Sequence, residues 1–131
     1  MHEKRIAIRW RDMDAYGHVN NAVYLTYLEE ARDEWLTQTV EGVADAWDYL
    51  LARVEIDYRR ELTQGDVEVV VRCRLDEIGT SSVRTLEELR KRDGELAAEA
   101  RAVVVARDRT SGRSRPLGAG ERAAFQAALT G

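Results

Sequence analysis

Residues 81–91 read Ser-Ser-Val-Arg-Thr-Leu-Glu-Glu-Leu-Arg-Lys, and the state of this one stretch decides the fold of the whole chain. Its Thr-Leu-Glu-Glu-Leu-Arg-Lys portion is built from good helix formers. Yet it sits between two strand-like runs, Val67 to Leu75 and Ala98 to Arg107, with short connections on both sides. A helix here would strand both neighbours as edges. We therefore assign residues 81–91 to a strand, against local propensity.

Working outward, Val54, Ile56 and Tyr58 alternate with charged residues, as do Ile6, Ile8 and Trp10 with Arg5, Arg9 and Arg11. That is the period-two mark of half-buried strands. Gln64-Gly65-Asp66 and Thr110-Ser111-Gly112 are turn signals. From Asn21 the period changes: Tyr24, Tyr27, Leu28, Ala31 and Trp35 form one face of a helix, widened by Leu25 and Leu36. Glu29, Glu30, Asp33 and Glu34 supply its wet side, and Asn20 or Asn21 caps its first turn. Thr37 to Leu51 reads as irregular, with Trp47 and Tyr49 inside it. Pro116 precedes a short helical stretch from about Gly120 to Leu129. One long enclosed helix followed by antiparallel strands predicts an α+β layer arrangement. Only that helix is long enough to cover the sheet, so a partner subunit is expected over the remaining apolar surface.

The 131 residues allow one domain, spanning 1–131. Hydrophobic residues at 44% and charged residues at 34% exclude a disordered chain. No apolar run approaches the ~20 residues of a membrane span, and no apolar signal region follows the first residues, so a cytoplasmic location is expected. The net charge of −4 argues against nucleic-acid binding. Cys73, the one cysteine, shares its alternating face with Val67, Val69, Val71 and Leu75, which predicts a core position.

Chemistry concentrates between Asp12 and Asn21, Asp-Met-Asp-Ala-Tyr-Gly-His-Val-Asn-Asn. A strand ends before this turn and the helix begins at its far end. Asp14 can attack an acyl carbonyl or deprotonate a water. The N–H groups of the helix start, at about Asn20 to Ala22, and its positive dipole end can hold the resulting oxyanion. His18 can share the base role, polarise the carbonyl or fix Asp14 in place, and Gly17 permits an unusual backbone. The local alternative is that the aspartates close a turn and the asparagines cap a helix, which spacing alone favours. A metal site from Asp12, Asp14 and His18 lacks further ligands, since the other histidine is His2 at the chain start; neither metal nor cofactor is expected. No Gly-x-Ser-x-Gly elbow supports a serine nucleophile.

The stretch from Arg11 to Leu25, followed by Leu28-Glu-Glu-Ala-Arg32, resembles the signature of the hotdog-fold acyl-CoA thioesterases, in the 4-hydroxybenzoyl-CoA thioesterase-like group. Ile56-Asp-Tyr-Arg-Arg, Gly65-Asp66 and Ile78-Gly-Thr-Ser-Ser resemble positions that follow in that family. The resemblance implies a long central helix wrapped by a five- or six-stranded antiparallel sheet, with chains paired through a continuous sheet into a homodimer, or further assembled into a homotetramer as such dimers often are. It also supports the strand at 81–91. It implies hydrolysis of acyl-CoA, or of acyl carrier protein in a fatty-acid or polyketide pathway. Asp14 would be the catalytic carboxylate, the Asn21 amide would face the thioester oxygen, and His18 would assist. His18-Val-Asn-Asn is also similar to the plant acyl-carrier-protein thioesterases, although Tyr16 stands where those enzymes carry a catalytic asparagine. For substrate binding we single out Tyr16, Gly17 and Tyr24, with Trp47 and Tyr49 as further candidates for an acyl pocket. Arg59, Arg60, Arg113 and Arg115 are candidates for the nucleotide phosphates. A non-catalytic acyl-CoA-binding hotdog protein is the remaining alternative, and the retained Asp14 and His18 weigh against it.

Overall fold

Residues Ser82–Lys91 form a strand in the computed structural model, which describes residues 1–130. Val83, Thr85, Glu87 and Leu89 are buried, while Arg84 faces solvent. Leu86 and Leu89, which a helix would bring together, therefore fall on opposite faces of the sheet. The helix-like look of the segment comes from Glu87, a carboxylate pointing inward. Its two oxygens accept from Arg32 Nε at 2.7 Å and Nη2 at 2.8 Å, and Thr85 Oγ1 donates to it at 2.7 Å. Burial alone would lower the Arg32 pKa, but the hydrogen bonds and charge of Glu87 raise it instead. This carboxylate is one half of a buried ion pair.

The elements run β1 (His2–Ala7), α1 (Asn21–Thr39), β2 (Tyr49–Tyr58), β3 (Glu68–Ile78), β4 (Ser82–Lys91), β5 (Leu96–Ala106) and α2 (Ala119–Thr130). The five strands form one antiparallel sheet in the order β1-β3-β4-β5-β2. Helix α1 lies across β1, β3 and β4, and α2 packs against β3 and touches α1. Two apolar clusters follow from this. Tyr24, Tyr27, Leu28 and Ala31 of α1 meet Ile6, Val69, Val71, Leu89 and Ala98 at one end. Trp35 and Leu36 meet Cys73, Leu75, Val83, Val104 and, from α2, Phe125 at the other. Full burial of each Leu, Val or Phe contributes about 1.5–3 kcal/mol.

Several expectations shift. Trp10 does not continue β1: it opens a 3-10 turn at Trp10–Asp12 and is 78% exposed. The segment read as irregular divides between the end of α1, a 3-10 turn at Ala46–Asp48 and the start of β2. Val67 lies outside β3, 52% exposed with φ of 70°. Left-handed backbone is unfavourable for a β-branched residue, but Ile8 N–H donates to its carbonyl at 2.9 Å and its own N–H donates to Gln64 at 3.1 Å. Helix α2 adds cover at one end of the sheet that α1 alone would not provide. Along the edge strand β2, Leu50, Leu51 and Tyr58 remain 48%, 44% and 43% exposed.

Candidate active site

The Asp12–Asn21 turn is stitched down at several points. Asp14 N–H donates to the His18 carbonyl at 2.7 Å, Asn20 N–H to the Asp12 carbonyl at 2.9 Å, and Val19 N–H to the Leu62 carbonyl at 2.8 Å. Gly17 supplies the left-handed residue the loop needs, with φ of 83°. The last of the three contacts lays the turn beside the segment that leaves β2.

The two aspartates part company here. Asp12 is 4% exposed. Its Oδ2 accepts from Tyr27 Oη at 2.6 Å and from the Arg9 N–H at 2.9 Å. Burial would raise its pKa, yet those bonds and the Arg9 charge outweigh it and hold the carboxyl below its ordinary value. Burial, with the same Asp12 contact, pushes the Tyr27 phenol up. Asp12 therefore belongs to the packing under α1 rather than to an open ligand set. Among the described residues no group of three His, Cys, Asp or Glu side chains converges in a way that could hold a metal ion.

Asp14 is half-buried at the mouth of a cleft. Its Oδ1 accepts from the N–H groups of Tyr16 at 2.8 Å and His18 at 3.2 Å. Its Oδ2 has no partner among the described residues. One oxygen anchors the side chain, and the other is free to take a proton or to attack.

Asn20 is the N-cap of α1, and its Oδ1 accepts from Ala22 N–H at 2.8 Å. The Val23 N–H goes to the Asn20 carbonyl at 2.8 Å and the Asn20 N–H to Asp12. Of the amides expected to be open at the helix start, those of Asn20 and Ala22 are thus occupied. Of these three helix-start amides the Asn21 N–H has no partner among the described residues, and its carbonyl accepts from Tyr58 Oη at 2.8 Å.

A cleft of about 500 Å³ is lined by Asp14, Tyr16, His18, Asn21, Tyr24, Tyr58, Arg59, Arg60 and Glu61, together with Val19. It gathers Asp14, His18 and Asn21 with Tyr16, Tyr24, Arg59 and Arg60, while Gly17 lines a neighbouring cleft with Asp14. Tyr24 is a buried wall: its hydroxyl donates to the Arg60 carbonyl at 2.9 Å and its ring meets Tyr58 edge-on at 5.1 Å. Burial pushes its phenol up to about 12. Tyr16 is 85% exposed at the rim.

Arg59 and Arg60 already hold carboxylates, Glu99 at 2.6 Å and Glu95 at 3.1 Å. Arg115 is likewise engaged, with Glu121 at 2.7 Å, and neither it nor Arg113 lines this cleft. Trp47 and Tyr49 lie elsewhere as well, in a groove beside the acidic face of α1.

Two lining residues escaped sequence reasoning. Glu61 Oε2 stands 3.0 Å from His18 Nε2, brought there by the Val19–Leu62 bond. In sequence it simply extends a charged run after Arg59-Arg60, which reads as a solvated face. Tyr58 read as a core position of its strand, whereas it stands at the end of an edge strand and opens onto the cleft.

Comparison with known proteins identifies the family and the fold. The family model described as Thioesterase-like superfamily matches residues 8–129. The long-chain acyl-CoA thioesterase FadM of Escherichia coli (strain K12) is 30% identical, over 81% of this chain and 83% of FadM. A thioesterase from Thermus thermophilus, crystallised with coenzyme A and Zn, superposes with a TM-score of 0.87 at 35% identity, over 98% of this chain and 94% of that one. The PA5185 protein of Pseudomonas aeruginosa superposes with a TM-score of 0.83 at 28% identity, over 98% and 91% of the two chains. With one long helix laid on a five-stranded antiparallel sheet, this chain has the hotdog fold and belongs to the thioesterase-like superfamily.

Proposed function

We propose that residues 1–131 form a single hotdog domain that hydrolyses acyl-CoA thioesters to a free carboxylic acid and CoA. The observation that carries this reading is the pairing, in one cleft, of a carboxylate with a free oxygen and a helix-start N–H without a partner. The free Oδ2 of Asp14 takes a proton from water as the water oxygen bonds to the acyl carbon, or attacks that carbon itself. In either route the carbonyl oxygen gains charge, which the Asn21 N–H and the positive end of α1 stabilise. The C–S bond then breaks, and the leaving thiolate takes up a proton; on the direct route water then cleaves the acyl–Asp14 anhydride, releasing the acid and restoring the carboxylate. His18, held by Glu61, assists by positioning water or polarising the carbonyl.

The names and ligands of the relatives support CoA as the thiol carrier. Release from acyl carrier protein is the alternative an assay must separate. No described helix is long and apolar enough to cross a membrane, and we place the enzyme in the cytoplasm. The exposed Leu50, Leu51 and Tyr58 on the open edge of β2 support pairing of two copies edge to edge, giving a homodimer from which a homotetramer can be built. Light scattering tests this, and a monomer at micromolar concentration would count against it. The decisive test is thiol release from short, long and aromatic acyl-CoAs beside acyl carrier protein. Wild-type turnover that Asp14→Asn abolishes supports the reading, while binding without thiol release would overturn it.

A further inference from the structure

Asp14 stands on a ridge between two clefts. The second, of about 670 Å³, is lined by Trp10, Arg11, Met13, Asp14, Ala15, Gly17 and Gln64. Three features set it apart. Its indole, Trp10, is 78% exposed, a large apolar face left in water. Its guanidinium, Arg11, is exposed and makes no ion pair or hydrogen bond among the described residues. Arg59 and Arg60 in the first cleft instead spend their charge on Glu99 and Glu95. Its Gln64 rim is rigid: Thr63 N–H donates to Asp66 Oδ2 at 2.8 Å, and Lys91 Nζ lies 3.6 Å from Asp66. Val67 closes the same turn in left-handed backbone at φ 70°, a conformation that persists only where its surroundings over-determine it.

We infer that the Trp10–Arg11 cleft binds the phosphate-bearing thiol arm of the substrate, with Arg11 pairing a phosphate and the Trp10 face stacking on the adenine. This rests on the thioesterase reading and deepens it. A thioester has two arms on either side of its reactive carbonyl, and Asp14 borders both clefts. A free planar guanidinium grips phosphate bidentately, and an exposed indole offers a stacking surface to a purine. The first cleft, walled by Tyr24 and Tyr58, is left for the acyl side. Acyl-CoA and acyl carrier protein share the phosphopantetheine, but only CoA brings the adenine.

Substrates trimmed from the thiol end test this. A single acyl group is presented as its CoA, phosphopantetheine, N-acetylcysteamine and acyl-carrier-protein thioesters. Arg11→Gln is expected to lower the ratio of kcat/KM for CoA to that for N-acetylcysteamine about tenfold, through KM, and Arg59→Gln to lower it less. Trp10→Ala is expected to lower the ratio of CoA to phosphopantetheine thioester severalfold. Release from acyl carrier protein then depends on Arg11 and not on Trp10. Equal losses on trimmed and full substrates would overturn the inference. So would a Trp10→Ala protein whose assembly mass changes while its ratios stay put, because the indole would then belong to a subunit contact. Tryptophan quenching by CoA alone reads the site without turnover: Arg11→Gln should weaken it about tenfold, and undiminished binding would sink the assignment. A wild type that binds CoA this way yet cleaves no thioester would instead refute the catalytic reading.

Discussion

Two carboxylates two residues apart, Asp12 and Asp14, sit in opposite kinds of region. Asp12, 4% exposed, faces the packing under α1, where its Oδ2 accepts from both Tyr27 and Arg9. Deeper in the same layer, both oxygens of Glu87 are taken by Arg32 and Thr85. Asp14 faces the rim with one oxygen anchored and the other open. Buried polar groups must be satisfied or they cost stability. A group with spare bonding capacity is tolerated only where water or a ligand can reach it. Stability therefore resides in the buried layer and chemistry at the rim that solvent reaches, although one short turn contributes to both.

The sharpest way to break this comparison is to remove each carboxylate's charge in turn. Asp14→Asn keeps the Oδ1 contacts to Tyr16 and His18 but removes the base or nucleophile. We expect kcat to fall by about 10²–10⁴, with the melting temperature nearly unchanged. Glu87→Gln should do the reverse. It leaves Arg32 as an uncompensated buried charge, which costs about 3–5 kcal/mol, or roughly 10–20 °C in Tm for a chain of this size. The pair Arg32→Met/Glu87→Leu should recover most of that loss, because a buried ion pair is replaceable by apolar packing. Calorimetry and thiol release on the same samples measure both sides.

Asp12→Asn comes next. Weakening charge-assisted bonds costs about 1.5–3 kcal/mol, so Tm drops, while kcat per folded molecule changes less than about tenfold. A collapse of kcat at full stability would show that Asp12, not Asp14, carries the chemistry.

Much of this layout was legible in the sequence, and the failures share one cause. The α1 face, the strands around Val54–Tyr58, Val67–Leu75 and Ala98–Arg107, and the Asp14–His18–Asn21 constellation all follow from local period and turn chemistry. Trp10 continued an alternating pattern, yet the chain turns away before it because Asp12 must reach Tyr27. The pairing of Arg32 with Glu87 spans 55 residues and leaves no local mark in the sequence. Glu61 reaches His18 through a backbone bond from Val19 to Leu62, which no motif announces. Arg59 and Arg60 pair with Glu99 and Glu95, which the local charge run does not show. Period reads the faces of elements; it does not read which polar side chains find one another.

Glu121, at the start of α2, extends the comparison to acid. Hydrogen bonds from Arg115 lower its pKa, burial works against them, and contacts from Tyr49 and the Gly118 N–H add to the lowering, leaving it at about 2. A depressed carboxylate stabilises the fold above its ordinary value of 4.5, and that contribution is lost as pH falls toward 2. Glu121→Gln should cost about 1.5–3 kcal/mol at neutral pH. Wild type and variant should then converge in Tm as the pH drops through that window; parallel curves would mean that Glu121 acts through packing alone.

The smallest effect is expected at the rim pair itself. His18 and Glu61 have side chains 42% and 65% exposed, and such pairs contribute under ~1 kcal/mol, less in high salt. Glu61→Gln should leave Tm within about two degrees of wild type at any ionic strength. Its effect belongs in turnover, because an imidazole without its carboxylate loses a preferred orientation: kcat should fall by about threefold to tenfold with KM little altered. A loss of that size that vanishes when His18 is also replaced would show that Glu61 acts through His18. A loss that persists in the double variant would place Glu61 in contact with the substrate or its water, making it a second carboxylate of the open rim.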